Sequence, residues 1–344
     1  DKAEIVPRLS FVDCIVEATG VPRVGAEVAF ETIRNKKHVV MMNLEADVTA
    51  GFILSEFAKN AGVVYTVGAG DEPAAIKELY DFAVSVGFKV VAAGKGKNNP
   101  LNREATPRTL KEVAFKKGMN PKMLCEFVDG SKTMIEMSCV ANATGLFPDV
   151  RGMHGPFCKL DELPKVFSLK EKGGILTREG VVDYALGKIA PGVFVVVTTD
   201  NPRIKKDLDY LGMGKGPSYL LYRPYHLTNM EIPVSIARAV IYREPTIAPL
   251  LEGPVAETIT VAKRDLKKGK VIDGIGGFDV YGLIEKAYIA KEENLLPLGL
   301  AEGAVLKRDV KKGECIRWDD VYIEENVLLN LRKLQDRLFP PRRG

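Results

Sequence analysis

The sequence contains no Cys-x-x-Cys pair, and its five cysteines (Cys14, Cys125, Cys139, Cys158 and Cys315) are odd in number. Neither a disulfide framework nor a thiolate zinc site is expected. No apolar run approaches the roughly 18 residues needed to cross a bilayer, and no secretory signal is visible. A membrane-spanning chain is therefore not expected, and a reduced cytoplasm is the expected compartment. Charge of one sign is also missing: 49 Lys+Arg stand against 45 Asp+Glu, a formal net charge of +4. Basic residues cluster only as short groups such as Lys267-Lys268, Lys311-Lys312 and Arg342-Arg343, so no nucleic-acid partner is expected. A Gly-x-Gly-x-x-Gly turn, which seats a dinucleotide pyrophosphate on a helix N-terminus, is absent as well. Gly68-Ala69-Gly70 runs on to Pro73, Gly94-Lys95-Gly96 runs on to Asn99, and Gly274-Ile275-Gly276-Gly277 comes late.

With 46% hydrophobic and 27% charged residues over 344 positions, the chain is long enough for two or three domains with sizeable cores. Its first hundred residues alternate strand-like and helix-like stretches. Strands are predicted over 12–18, 38–42, 63–67 and 89–93, and helices over 24–35, 50–60 and 73–86. Such βα alternation implies an α/β fold with a parallel, doubly wound sheet, whose ligands bind beyond the carboxyl ends of the strands. The loops there read Ala18-Thr19-Gly20, Met42-Asn43-Leu44-Glu45, Gly68 to Pro73 and Gly94 to Asn102. Four small or polar strand ends in succession predict one continuous site. Extended runs are predicted over 134–140 and 192–198, and one amphipathic helix over 229–242. After Pro254 the run Ala262-Lys263-Arg264-Asp265-Leu266-Lys267-Lys268-Gly269 recurs as Leu306-Lys307-Arg308-Asp309-Val310-Lys311-Lys312-Gly313. This repeat predicts a small β domain of two similar halves.

Several residues carry candidate chemistry. Asp71 and Glu72 open a helix behind a glycine pair. They are either partners of the helix dipole or, since Gly70 lets the backbone approach a ligand closely, binders of substrate or a divalent metal. Lys95 and Lys97, held among glycines with Asn98 and Asn99, form either a solvated turn or a cationic site that protonates a carbonyl, steadies an oxyanion or holds phosphate. Lys97 is the first choice for that role and Lys95 the second. Glu126, Asp129, Lys132 and Glu136 alternate charge in a stretch read as strand-like. Lys132 would face the cleft with Glu126 or Asp129 unless the face is simply exposed. His154 beside Arg151, and His226 beside Arg223, lie in Gly/Pro loops suited to phosphate or hydroxyl recognition. Lys215 is a further anion contact, whereas His38 opens a strand and reads as structural.

The stretches VEATGVPRVGAE, HVVMMNLEADVT, GAGDEPAAIKEL, AGKGKNNPLN, LCEFVDGSKTMIEM, ANATGLFPD, RGMHGP and GKGPSYLLYRPYHLT, together with the C-terminal repeat, carry a resemblance. They are similar to the deoxyxylulose-phosphate reductoisomerase-like oxidoreductases, which resemble homoserine dehydrogenase in fold and end in an SAF (β-clip) domain. The resemblance implies the latter part of a Rossmann-type NAD(P) domain over 1–70, an α+β catalytic and dimerisation domain over 71–228, a helical return over 229–254 and an SAF-like domain over 255–344. The chain opens on Asp1-Lys2-Ala3-Glu4 without a methionine, and on this reading the first strands and glycine-rich turn of the cofactor domain precede Asp1. The chain as it stands would then bind cofactor poorly.

The resemblance further implies that Ala18-Thr19-Gly20 underlies the nicotinamide ribose, with Asn43 and Gly70 nearby; from the residues alone the same segment reads equally as a turn capped by Thr19. Leu44 departs from the lysine that homoserine dehydrogenases carry there, which counts against homoserine as substrate. The chemistry implied is NADP- or NAD-dependent rearrangement and reduction of a phosphorylated α-hydroxyketone, with Mg or Mn at Asp71/Glu72, in a homodimer or tetramer. Two other readings stay open. One is a dehydrogenase of a small hydroxy acid or sugar acting without rearrangement, and the other is a non-enzymatic ligand sensor.

Overall fold

The computed structural model describes residues 3–343. Asp1 and Lys2, on which the expectation of an earlier beginning rests, lie outside the described residues. Strands β1 (Cys14–Glu17), β2 (His38–Met41) and β3 (Tyr65–Val67) form a parallel sheet in the order β1-β2-β3, joined by helices α1 (Pro22–Arg34) and α2 (Leu44–Ala61). The sequence accounts for these boundaries. Both β2 and β3 are buried along their length, and α1 opens with Pro22, whose fixed φ suits a first helical turn. Helix α2 is capped by Asn43, whose side chain accepts from the Ala46 amide at 3.1 Å, and it stops at Gly62 in the left-handed region.

The fourth predicted strand does not join this sheet. The outer edge of β3 is taken instead by residue 247, with the Val67 amide donating to the Ile247 carbonyl at 2.9 Å. After α3 (Glu72–Ser85), strand β4 (Lys89–Gly96) enters a separate mixed sheet. Helices α4 (Lys111–Lys116), α5 (Pro121–Asp129) and α6 (Ser131–Thr144) follow, then β5 (Phe147–Pro148), α7 (Leu163–Val166), β6 (Val181–Ala185), β7 (Val193–Thr198), α8 (Pro202–Tyr210) and β8 (Ser218–Arg223). The five strands lie in the order β5-β6-β4-β7-β8, with β4 parallel to β6 and antiparallel to β7. Gly94 explains this position for β4: a Cβ there would lie 1.9 Å from the Asp183 carbonyl oxygen of β6. Helices α3 and α6 pack together against the sheet around Ile76, Met134, Met137 and Val195. Phe167 and Phe194 fill a second core with Val196 and Leu176.

The extended run predicted over 134–140 is helical, as is the whole charged stretch before it. Lys132 and Glu136 are spaced 4 apart on α6, the helical period that sets side chains on one face, while Gly130 in the left-handed region separates them from Glu126 and Asp129 of α5.

The predicted return helix is α9 (Thr228–Ala237), continued by a π-helical turn over Arg238–Tyr242 after the internal Pro233. The last region holds β9 (Ala256–Ala262), β10 (Val280–Lys286), α10 (Ala287–Glu292), β11 (Val305–Leu306), β12 (Val321–Tyr322) and α11 (Val327–Leu338). Its two repeats pair with each other. Leu266 and Val310 exchange backbone hydrogen bonds at 2.8 and 2.9 Å. Asp265 accepts from Lys312 N and Lys311 Nζ, while Asp309 accepts from Lys268 N and Lys267 Nζ. Each repeat therefore closes the turn of the other. Helix α11 packs back on α2, so the core of Phe52, Ile53 and Leu54 runs without a break into Leu296, Leu328 and Leu329.

Candidate active site

Although β1 to β3 and β4 belong to different sheets, their carboxyl ends meet. A cleft of about 290 Å³ is lined by Met42 after β2, Asp71 and Glu72 after β3, Lys95, Lys97, Asn98 and Asn99 after β4, Phe127, Lys132, Thr133 and Glu136 of α5 and α6, and His226 and Thr228. It adjoins a groove of about 450 Å³ over Ala18, Thr19, Gly20, Val21, Pro22 and Glu45, with Met42, Phe127 and Lys132 common to both.

At its centre Lys95 lies with its ammonium 2.5 Å from a carboxylate oxygen of Glu72 and 2.5 Å from one of Glu136. All three are under 9% exposed. Burial alone would lower Lys95, but Glu136 and Glu72 hold it above the usual lysine range. Burial works the other way on the acids. Glu136, pushed up by burial and by Glu72, reaches about 7 despite Lys95. For Glu72 the burial effect is overcome by Lys95, Asp71 and His226, which hold its carboxyl well below the carboxylate range. Asp71 is raised above the usual carboxylate range by burial and by the neighbouring Glu72. Lys97 donates to the Phe127 carbonyl at 2.6 Å, and burial and the neighbouring Lys95 bring it down to about 8.

A second ion pair flanks the first. Lys132 Nζ lies 2.9 Å from Glu45; burial would lower Lys132, but Glu45 and Asp71 hold it well above the usual range. Its expected partners are thus replaced. Glu126 is held up at about 8 by burial and by Glu45, and Asp129 is buried against Lys263. Of the expected residues, Asp71, Glu72, Lys95, Lys97, Asn98, Asn99, Lys132 and His226 come together. Glu136 and Glu45 complete the charge network and were not singled out as site residues, although the helical spacing of Lys132 and Glu136 was present in the sequence.

The other expected residues serve elsewhere. His154 is not among the cleft residues: its Nε2 pairs with Asp149 at 2.9 Å and its amide with Asp183. Lys215 is exposed before β8, whose first residue Ser218 pairs with Thr198, whereas Arg223 pairs with Val193 at the cleft end. About 17 Å of strand therefore separates that loop from the cleft. Arg223 is neutralised by Glu78 at 2.9 Å and Glu231 at 2.6 Å. Because Glu231 also accepts from the Leu227 amide, Arg223 braces the loop that presents His226 rather than meeting a ligand. Asn43 is 1% exposed, with its carboxamide used by Ala46 N and the Val21 carbonyl. It shapes the 18–22 turn from beneath. Gly70, at φ +86°, brings its backbone against α9, where a Cβ would lie 2.5 Å from Thr228 O. The close approach inferred for it is to protein, and it places His226 Nδ1 3.1 Å from the Gly70 carbonyl. Ala18, Thr19 and Gly20 line the groove that adjoins the cleft.

Ligand atoms of Asp71, Glu72 and His226 all lie within 4.8 Å of one another, a spacing a small cation can use. The Lys95 ammonium already engages Glu72, however, so a dication would have to face it. Removing that ammonium is expected to unmask the site. Lys95→Ala should bind Mn²⁺ at least about tenfold more tightly than the parent chain, read by electron paramagnetic resonance, and equal binding by the two chains would contradict the placement of Lys95.

Residues 70–232 match the model for the catalytic domain of oxidoreductase DRL, and residues 257–321 match that for the SAF domain. Two successive segments of the chain are thus similar to an oxidoreductase catalytic domain and to an SAF domain. Solved structures with similarity include a probable dehydrogenase from Thermotoga maritima (15% identity, covering 71% of this chain and 74% of that one, TM-score 0.37). A candidate oxidoreductase from Bacteroides fragilis is also similar (12% identity, 72% and 75% coverage, TM-score 0.26), as is one from Bacillus subtilis (13% identity, 70% and 75%, TM-score 0.31). No curated protein matches the chain. Among the described residues no helix is long and apolar enough to cross a membrane.

Proposed function

We propose that the chain is an NAD(P)H-dependent oxidoreductase that reduces the carbonyl of a small phosphorylated hydroxyketone or of the aldehyde formed from it. The observation carrying this reading is the pairing of a fixed cation with a titrating one. Lys95 is locked between Glu72 and Glu136, and beside it Lys97 is poised near neutrality at about 8. Carbonyl reduction places negative charge on oxygen, so it needs a cation that stays put and a group that releases a proton. Lys95 supplies the first and Lys97 the second. His226, Asn98 and Asn99 offer further polar contacts to substrate hydroxyl or phosphate groups along the wall.

The groove over Ala18 to Pro22 fits the nicotinamide end of a dinucleotide, because it lies beyond the ends of β1 and β2 and opens directly into the cleft. Bound there, the nicotinamide supplies the hydride. The chain's own residues do the rest: Gly20 and Val21 line the groove, Met42 lines both groove and cleft, and Lys97 delivers the proton to the carbonyl oxygen as the carbon is reduced.

The resemblance of the motifs supports the fuller reading, a reductoisomerase that first rearranges the carbon skeleton of a substrate such as 1-deoxy-D-xylulose 5-phosphate. The engagement of Glu72 by Lys95, which opposes a bound dication, favours direct reduction without rearrangement as the second reading. Product analysis separates them. After incubation of the protein with NADPH and the sugar phosphate, a branched product is expected from the first and an unbranched polyol phosphate from the second; NADPH left unoxidised across the phosphorylated hydroxyketones would dismiss both. A homo-oligomer remains part of the proposal, since the edge strand β8 is only partly buried.

A further inference from the structure

Far from the cleft, a cavity of about 440 Å³ opens between the C-terminal β region and α11. Its size is within the range of small-molecule sites. Ala287 and Ala290 of α10, Leu295, Trp318 and Phe339 give it apolar walls, and Glu257 and Arg332 lie across its base. Arg332 acts as a strut. Its guanidinium is 2.6 Å from Glu257 on β9, 2.8 Å from Asp336 on α11 and 3.5 Å from the Thr49 carbonyl on α2. Both Glu257 and Arg332 are under 9% exposed, so this pair holds α11 at a fixed distance and keeps the walls from closing on one another.

The charges at the mouth are not balanced in the same way. Lys333 pairs with Glu325, but among the described residues neither Lys291 nor Arg337 has a carboxylate within 4.0 Å. Two unpaired cations at the rim of an apolar, tryptophan-walled space match a ligand with a flat apolar body and one anionic group. The body would lie against Trp318 and Phe339, and the anion would meet Lys291 and Arg337.

We propose that this cavity binds a small amphipathic anion of that class, an aromatic or similarly flat phosphate or carboxylate. None of its lining residues lines the cleft, so the site is separate from the proposed chemistry and stands or falls independently of it.

Trp318 is the only tryptophan in the chain, which makes its emission a local reporter. Phenyl phosphate titrated into the full chain is expected to give a saturable change in Trp318 emission, matched by heat in calorimetry. Benzyl alcohol, which lacks the anion, and inorganic phosphate, which lacks the body, are each expected to bind at least about tenfold more weakly. The double variant Lys291→Ala/Arg337→Ala removes only exposed side chains, keeps the parent melting temperature and should weaken phenyl phosphate by a similar factor. Binding heat without a change at Trp318, equal binding of inorganic phosphate, no binding at all, or undiminished binding by the double variant would each overturn the proposal.

Discussion

Lys97→Ala is expected to lower kcat by about 10² to 10³, the scale seen when one positioned donor is removed from a developing oxyanion, with a smaller change in KM. Lys97 reaches the cleft just past the end of β4, with its stem buried and its ammonium tied, among the described residues, only to the Phe127 carbonyl. Truncation therefore removes a functional group without leaving a buried carboxylate unpaired. Lys97→Arg distinguishes the two roles a cation could play. Arginine keeps the charge but does not give up a proton near neutrality, so it should preserve activity if Lys97 only steadies an oxyanion and fail if it delivers the proton.

The pH profile follows from the same groups. With Lys97 at about 8, a proton donor is lost as pH rises through that value, so kcat should fall on the alkaline side. Glu136 sits at about 7. As pH falls through that value it takes up a proton, and Lys95 loses one of its two anionic partners, which gives the acid limb. Glu136→Gln, a permanently neutral stand-in for the protonated acid, should remove the acid limb by holding kcat near its acid-side level, and leave the alkaline limb in place. Unchanged turnover by Lys97→Ala, or an alkaline limb that persists in it, would remove Lys97 from the reaction.

The largest expected loss of stability is at a different buried pair. Lys263 lies 2.7 Å from Asp129, at 6% exposure against 0%, and also donates to the carbonyls of Gly277 and Ala105 at 2.8 and 3.0 Å. It ties the α5–α6 joint to the C-terminal region, where the Asp129 carboxylate also accepts from Ser131 N. Lys263→Met leaves that carboxylate buried with no counter-charge and is expected to cost about 3–5 kcal/mol, measured by urea denaturation. Adding Asp129→Asn should recover most of the loss, because removing both charges also removes the penalty. Additive losses in the double variant would show that the two side chains do not act as a pair.

Much of the architecture was legible along the chain. The βα alternation of the first seventy residues produced the parallel sheet, and the repeat after Pro254 produced two halves that close each other's turns. The motif resemblance agrees with the catalytic-domain and SAF matches over 70–232 and 257–321. The failures have physical causes. The charged stretch 126–136 and the run 134–140 carry the apolar and charged content of a strand, whereas the four-residue spacing of Lys132 and Glu136 fits the helix observed. Strand β4 was assigned to the first sheet because local pattern cannot say which edge a strand will pair with. Lys215 shared the loop chemistry of a ligand contact but stands at the wrong end of its strand.

By itself, then, the sequence determined which strand ends carry polar loops, where helices are capped and where the chain repeats, because propensity, capping and turn chemistry act over a few residues. Only the tertiary structure decided which charges meet. Lys95 finds Glu72 and Glu136 from 23 and 41 residues away, and Lys132 finds Glu45 from 87. Whether a lysine is locked as a cation or left near neutrality depends on burial and on those distant partners, which local pattern does not encode.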